Sequence, residues 1–172
     1  MYQLREIERT DLEQINKWRN DPKLIASLGA PFRYINLDVD QKWFDSYMAN
    51  RGNSIRCSII DPNNSKEIIG LVSLLSIDYI NGSCEFHIMI GDAENQGKGI
   101  GTFAVKSMLK YAFNDINLRR VELSVLKSNE KALHLYEKVG FKVEGIRREA
   151  VYKNGEYVDV IIMSILKEEF KL

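Results

Sequence analysis

The fold of this chain is decided by one glycine-rich stretch, Gln96-Gly97-Lys98-Gly99-Ile100-Gly101. An apolar run at residues 86–90 precedes it, and an amphipathic run at residues 103–112 follows it. A strand, a glycine turn and a helix in this order leave backbone N–H groups unpaired at the start of the helix. Those donors and the helix dipole attract phosphate, and glycine allows a ligand to approach the backbone closely. The stretch therefore predicts a site for a phosphorylated cofactor.

Two other phosphate-binding patterns compete for the same stretch. A P-loop needs a second glycine where this chain has Gln96, and Ser or Thr after Lys98, where this chain has glycine. Residues 99–104 match the dinucleotide pattern G-x-G-x-x-A, with Glu122 about twenty residues further on. A dinucleotide domain continues with several βαβ units, however, and only one clear helix remains here before a terminal hairpin.

Two blocks of the chain resemble the GNAT acetyltransferases. The first is the acyl-CoA loop pattern Q-x-x-G-x-G, at Gln96, Gly99 and Gly101. The second is residues 128–141, Ser-Asn-Glu-Lys-Ala-Leu-His-Leu-Tyr-Glu-Lys-Val-Gly-Phe. The branch that looks most similar holds ribosomal-protein N-terminal, bacterial spermidine/spermine and nucleotide-amino-sugar acetyltransferases. The resemblance implies acetyl-CoA as co-substrate and direct acetyl transfer to a primary amine, without a covalent acyl-enzyme.

The hydrophobic pattern predicts an α/β (α+β) fold in a single domain over residues 1–172. Its elements run strand, helices, three antiparallel strands, helix, strand, helix and hairpin. The dipeptides Asn81-Gly82 and Asn154-Gly155 are hairpin turns. We therefore expect a mixed, largely antiparallel sheet with helices on both faces, as the GNAT resemblance also implies.

Composition excludes several classes of function. The 24 basic and 24 acidic residues among 172 cancel, so no broad basic surface for nucleic acid is expected. No apolar run approaches the roughly 18 residues of a membrane span, and a charged N-terminus is not a signal peptide. Cys57 and Cys84 lack metal-binding or disulfide-framework spacing, so buried thiols in a reducing cytoplasm are expected. Whether the chain forms a homo-oligomer is left open.

Glu85 is the candidate general base. An alkylammonium has a pKa near ~10, so an acceptor amine must lose a proton before it attacks the thioester. Glu85 lies in the strand before the glycine loop, in phase with His87 and Met89. The resemblance places a catalytic Glu in this strand; an exposed strand charge, or a partner for Arg or Lys, is the alternative.

Tyr136 is the candidate general acid. The resemblance implies that it protonates the departing thiolate, and that Asn129 contacts the pantetheine arm of the cofactor. Seven residues separate the two, about two helical turns, so both are expected on one face of the helix. The alternatives are a core role for the tyrosine and a helix-capping role for the asparagine.

The resemblance implies a cofactor site built from the glycine loop, the second block and the end of the preceding strand. There, backbone N–H groups at a distorted point of the strand would supply the oxyanion donors. No metal site is expected, since the two histidines lie on separate elements without a third ligand. The predicted cofactor-binding residues are Met89, Ile90, Gln96, Gly97, Lys98, Gly99, Ile100, Gly101, Thr102, Asn129 and Tyr136.

The acceptor amine is left open by the sequence. Residues 85–90 and 154–160 look similar to bacterial spermidine/spermine acetyltransferases, which carry a Glu-rich stretch near the third helix. This chain instead has Gly-Ala-Pro-Phe-Arg-Tyr at residues 29–34, and Arg33 and Lys42 oppose a polycation. Those residues suit a nucleotide-amino-sugar, and a protein N-terminus is also open. From another class, a non-catalytic acyl-CoA-binding regulatory module would keep the glycine loop without needing a catalytic acid or base.

Overall fold

The computed structural model describes residues 2–95 and 97–171, without the side chains of residues 64–66 and 93. Five α-helices are present in this part: α1 Leu12–Arg19, α2 Pro22–Ala26, α3 Leu37–Ala49, α4 Ile100–Lys110 and α5 Glu130–Val139. Seven strands are present: β1 Gln3–Glu6, β2 Ile55–Asp61, β3 Asn64–Asp78, β4 Ser83–Ile90, β5 Arg120–Leu126, β6 Lys142–Lys153 and β7 Glu156–Leu166.

All seven strands form one sheet, in the order β1-β2-β3-β4-β5-β7-β6. Every neighbouring pair is antiparallel except β4 and β5, which are parallel. The connection between these two strands passes through the glycine stretch and α4. The predicted fold class, a mixed and largely antiparallel sheet with helices on both faces, is confirmed.

Side chains alternate between the two faces of the sheet, and each face has its own hydrophobic cluster. On β4, Cys84 and Phe86 pack with residues of α4 and α5, such as Leu109. The next residues in the alternation face the other way, and Met89 packs against Leu12 of α1 and Phe44 of α3. We call these the α4–α5 face and the α1–α3 face.

Local signals explain where several elements begin and end. The side chain of Asn36 caps α3, and that of Asn129 caps α5, each accepting a backbone N–H. Gly140 ends α5 in the left-handed conformation, with φ of 115°. Asn154 and Gly155, with φ of 50° and 91°, form the predicted turn between β6 and β7.

The helix that follows the glycine stretch does not stay α-helical to its end. The α-helix ends at Lys110, and a π-helical turn spans Tyr111–Asp115. Its wider spacing buries two consecutive side chains, Ala112 and Phe113, at 0% and 1% exposure. Phe113 then contacts Phe170 near the C-terminus, with ring centroids 5.7 Å apart.

Candidate active site

Strands β4 and β5 part in the middle of the sheet. Their parallel pairing covers three residue pairs and ends at Glu85 and Glu122. Beyond that point β4 runs on to Ile90 and β5 to Leu126, and β4 stays paired with β3. A gap therefore opens between the two strands, next to the glycine turn that follows β4.

The backbone of β4 directs polar groups into this gap. The Gly91 N–H donates to the Ile69 carbonyl at 2.9 Å, and successive residues in an antiparallel ladder face their partner strand alternately. By this alternation Met89 directs its N–H toward β3, whereas Ile90 directs its N–H toward the gap. Of the two predicted oxyanion donors, the geometry favours Ile90.

The distortion of β4 expected near Met89 and Ile90 is not present. Pairing with β3 is regular over six residue pairs, from Ile90 back to Glu85, and the register shift lies instead between Leu75 and Asp78 of β3. The gap has another cause. Strand β5 pairs along its whole length with β7, so it follows β7 away from β4.

The glycine turn leaves the N-terminus of α4 open. Gly97 and Gly99 have φ of 78° and 79°, a left-handed conformation that favours glycine, and nothing lies within 4 Å of a Cβ at either position. Gly99 is the N-cap of α4, and as a glycine it has no side chain with which to cap the helix. Lys98 is exposed beside it. Gln96 lies outside the described residues.

Gly101 is glycine for a different reason from its neighbours. Its φ is not positive, but a Cβ there would lie 2.9 Å from Cδ2 of Leu135 on α5. Glycine at this position therefore allows α4 and α5 to pack closely. Of the other predicted loop residues, Ile100 is buried in the core and Thr102 is half-buried in the first turn of α4.

Tyr136 lies on α5 with its ring in the core of the α4–α5 face. Its ring packs against Phe86 of β4 and Phe141, with centroids 6.3 and 5.6 Å away. The hydroxyl makes no hydrogen bond within the described residues, yet it is not among their fully buried unpaired polar atoms, so it reaches the surface. Burial raises the pKa of Tyr136 to about 12, so the phenol keeps its proton at neutral pH.

Asn129 has the capping role that its position predicts. Its Oδ1 accepts the Ala132 N–H at 3.2 Å, and its Nδ2 donates to the Ser27 carbonyl at 3.0 Å. The second contact joins the start of α5 to the segment that follows α2. Asn129 therefore connects the two faces of the molecule beside the gap.

Glu85 lies on the α1–α3 face, in phase with His87 and Met89 as predicted. Its carboxylate is 3.2 Å from Nε2 of His87, and the two side chains are 37% and 52% exposed. Tyr136 lies on the opposite face of the same strand. Glu85 and the ring of Tyr136 thus lie on opposite faces of β4, where its pairing with β5 ends.

Further carboxylates surround Glu85 on the α1–α3 face. Glu122 is its register partner on β5, and Glu144 of β6 lies beyond. Arg120 binds both, at 2.9 Å from Glu122 and 2.5 Å from Glu144. The hydrogen bond from Arg120 lowers the pKa of Glu144 to about 2. Glu122 and Glu144 therefore share one guanidinium, and Glu85 contacts His87, so this patch is acidic.

Polar contacts shape the segment before α3. The buried Asp40 carboxylate, fully inaccessible, accepts hydrogen bonds from Arg19 and, at 2.7 Å, from Asn16. The Asn16 and Asn20 amides also donate to the Ile35 carbonyl, at 2.9 and 2.7 Å. This network fixes the segment between α2 and α3 against α1.

Lys153, which sequence reasoning did not identify, holds the same segment from the other end. Its buried Nζ donates to the carbonyls of Ile25, at 2.9 Å, and Ala30. Both acceptors are backbone atoms more than a hundred residues away in the chain. No side-chain pattern could therefore have revealed the contact.

The described residues show neither a membrane span nor a metal cluster. In this part of the chain, no helix combines the length and the apolar run that crossing a bilayer takes. Nor do three His, Cys, Asp or Glu side chains come together there in a way that could hold a metal ion.

Comparison with known proteins identifies the family. The family model "Acetyltransferase (GNAT) domain" matches residues 2–142. Spermidine N(1)-acetyltransferase of Vibrio cholerae is 36% identical over 167 residues, which cover 97% of this chain and 94% of that protein. The Escherichia coli protein of the same name is 32% identical, over 97% of this chain and 87% of that one.

A solved structure agrees with the sequence relatives. It is the spermidine N-acetyltransferase from Vibrio cholerae in complex with CoA and spermine. It has a TM-score of 0.90 and 34% identity, and the match covers 98% of this chain and 96% of that one. The chain belongs to the GNAT acetyltransferase family, and it is an acetyl-CoA-dependent N-acetyltransferase that acts on an amine.

Proposed function

We propose that this enzyme acetylates a primary amine of a polyamine by direct transfer, within a single domain over residues 1–172. One observation carries the proposal: where the pairing of β4 with β5 ends, Glu85 lies on one face of β4, and the ring of Tyr136 packs against Phe86 on the other. A thioester placed in the gap between β4 and β5 would meet the amine from the α1–α3 face. The regulatory-module alternative is not retained, since the relatives are transferases.

In this proposal each residue has one part in the reaction. Glu85 takes the proton of the incoming ammonium, and the neutral amine attacks the thioester carbon. The Ile90 N–H donates to the oxyanion that forms as the N–C bond is made. Tyr136 gives its proton to sulfur as the C–S bond breaks, the attacking nitrogen loses its second proton to water, and the phenolate regains a proton from solvent. The glycine turn and the open N-terminus of α4 suit the pyrophosphate of the cofactor.

The acidic patch supports a polyamine as the acceptor. A polycation needs several carboxylates close together, and residues 29–34 do not supply them. Glu85, Glu122 and Glu144 come instead from three strands; within the described residues, Arg120 pairs with the last two and His87 contacts the first. The relatives that match over nearly the whole chain carry spermidine acetyltransferase names. Both cysteines are free thiols, Cys84 buried and Cys57 half-buried, which fits a reducing compartment, and cytoplasmic localisation stays a prediction.

The test is a free-thiol release assay with acetyl-CoA and a panel of amines. Spermidine and spermine should exceed butylamine, a monoamine with similar proton affinity, by roughly tenfold in kcat/KM, because each added cation meets the carboxylates. The Glu122→Gln variant should reduce this preference and leave butylamine turnover unchanged. Turnover of an amino sugar or a peptide N-terminus without turnover of polyamines would refute the acceptor class but not the acetyltransfer.

A further inference from the structure

A polar cavity lies on the α1–α3 face, away from the acidic patch. It measures about 160 Å³ and lies between α3 and β2. The register of the sheet aligns Arg56 of β2 with Ser73 of β3, and Ser73 with His87 of β4. Since neighbouring strands lie about 4.8 Å apart, Arg56 is about 10 Å from His87 across the sheet. The cavity is lined by Trp43, Ser46, Tyr47, Asn50, Ser54 and Arg56.

Arg56 is the cation of this cavity, and no described residue neutralises it. Its guanidinium stacks on the rings of Trp43 and Tyr47, at 5.0 and 5.7 Å. It forms no ion pair within the described residues, and its buried Nε donates to no acceptor there. Its terminal nitrogens are not among the buried unpaired atoms, so they remain accessible at the cavity. A guanidinium held in this way is preorganised and lacks an anion.

The other polar groups around Arg56 fit the same ligand. Ser46, Asn50 and Ser54 make no side-chain hydrogen bond within the described part of the chain, so their donors are free. No carboxylate lines the cavity. The carboxylate of Glu6, which contacts the lining residue Tyr47 at its hydroxyl, 2.8 Å away, already binds Arg51 at 2.5 Å.

Nearby charge adds to the preference for an anion. Burial lowers the pKa of Arg56, and the positive charge of Arg19 lowers it further. The group stays charged, because a guanidinium does not lose its proton in proteins. Asp40 does not help to neutralise it, since Arg19 and Asn16 occupy that carboxylate. An anion at this cavity would therefore pair with the Arg56 guanidinium, which no described carboxylate neutralises.

We propose that this cavity is an oxyanion site, which takes a phosphate or carboxylate group on Arg56, Ser46, Asn50 and Ser54. The site goes beyond the proposed polyamine chemistry, because it lies in a different part of the α1–α3 face. Its ligand comes either from solution, as a free anion, or from an acceptor that carries an anionic group about 10 Å from its amine. Both sources would present the same kind of anionic group to Arg56.

The first experiment titrates the protein with inorganic phosphate and follows tryptophan fluorescence. Trp43 stacks on Arg56, so an anion at the guanidinium changes its emission; Trp18, the other tryptophan, is buried elsewhere. We expect a saturable change that sodium chloride of equal ionic strength does not produce. Arg56→Gln should weaken it at least tenfold.

Two further variants separate the site from general charge effects. Arg9 stacks on Phe44 of the same helix, also at 5.0 Å, but its partner Asp45 neutralises it. Arg9→Gln therefore removes an equal charge and should leave phosphate binding unchanged. Ser54→Asp places a carboxylate beside Arg56 and should abolish binding even if Arg56→Gln fails to fold. Phosphate binding that survives both Arg56→Gln and Ser54→Asp, or no saturable change in the parent protein, would overturn the proposal.

The second experiment distinguishes the two sources of the anion. 6-Aminohexyl phosphate, whose extended chain places the phosphate about as far from the amine as Arg56 lies from His87, and 6-aminohexanol are compared as acceptors in the parent protein and in Ser54→Asp. A lower KM for the phosphorylated amine that is lost in Ser54→Asp assigns the site to the acceptor. Equal KM values together with phosphate binding assign it to a free anion. Neither outcome depends on polyamine turnover, so failure of the proposed function is seen separately.

Discussion

The two faces of the sheet are assembled in different ways. On the α4–α5 face, neighbouring motifs make mostly apolar contacts: Gly101 against Leu135, and Tyr136 against Phe86. On the α1–α3 face, polar groups far apart in the chain hold the structure, as Asp40 does with Arg19 and Lys153 does with two carbonyls. Contacts between neighbouring motifs therefore hold the α4–α5 face together, while the α1–α3 face depends on contacts between residues far apart in the chain.

This difference predicts how variants on the two faces behave. A change on the α4–α5 face that keeps the packing should affect chemistry alone, because the Tyr136 hydroxyl, the proposed general acid, makes no hydrogen bond within the described residues. A change on the α1–α3 face should affect recognition of the acceptor, because the polar side chains of this face also hold the segment between α2 and α3 by hydrogen bonds. The three variants below test this contrast.

The largest expected effect is that of Tyr136→Phe. The variant keeps the ring and its packing but removes the proton for the leaving thiolate, so turnover should fall by about 10²- to 10⁴-fold. Acetyl-CoA affinity should stay nearly the same, because the ring remains. Steady-state assays with the true acceptor and calorimetry with acetyl-CoA measure these two quantities.

The pH dependence of stability gives a control for this variant. Burial raises the pKa of Tyr136 to about 12, above its usual ~10, so its contribution to stability is constant below pH ~10. That contribution is lost only as pH rises from there through 12. Melting temperatures of the parent and of Tyr136→Phe should therefore run in parallel up to pH ~10. A variant that turns over like the parent would make Tyr136 structural.

Glu85→Gln is expected to have the next largest effect, on the other face. Loss of the general base should lower turnover by about a hundredfold at pH 7, and higher pH should partly restore it by supplying free amine. Glu122→Gln is the matched control, since it removes the register neighbour on the same face. At saturating amine it should change turnover little. A pH–rate profile of Glu85→Gln equal to that of the parent would mean that water or another residue takes the proton.

The α4–α5 face, with the glycine stretch, was the more predictable part of the molecule. The glycine stretch, the strand before it and the block at residues 128–141 are continuous in sequence, so pattern and spacing indicated their structure. Even there, the sequence could not separate Gly99, which needs its left-handed conformation, from Gly101, which makes room for Leu135. A backbone angle and a helix–helix contact require the same residue type.

The α1–α3 face was harder to predict, for a physical reason. Residues 29–42 suggested an environment hostile to polycations, but the carboxylates come from β4, β5 and β6. Only the order of strands in the sheet brings Glu85, Glu122 and Glu144 together. The bulge expected in β4 was also wrong, because the partner of β5 decides where the gap opens. Both facts depend on pairing between distant strands.

Lys153→Met should have the smallest effect, and one confined to the acceptor. The variant keeps most of the side-chain volume but removes the donor to Ile25 and Ala30, so the segment after α2 loses one of its attachments. We expect the KM of the amine to rise a few-fold, while the KM of acetyl-CoA stays unchanged. Lys142→Met, on the same strand but paired with Glu169 at the surface, should change neither.

The pH dependence of stability distinguishes two roles of Lys153: hydrogen bonding by its buried ammonium group, and packing by its aliphatic chain. Burial lowers the pKa of Lys153 below its ordinary value of about 10.5, so the folded protein binds this proton less tightly than the unfolded chain. Between the lowered pKa and ~10.5 the parent should therefore gain stability as pH rises, and Lys153→Met should lack that gain. Denaturant unfolding at pH 8 and pH 10 measures the difference. Equal slopes in the two proteins, with equal KM for the amine, would show that Lys153 does not hold the acceptor segment.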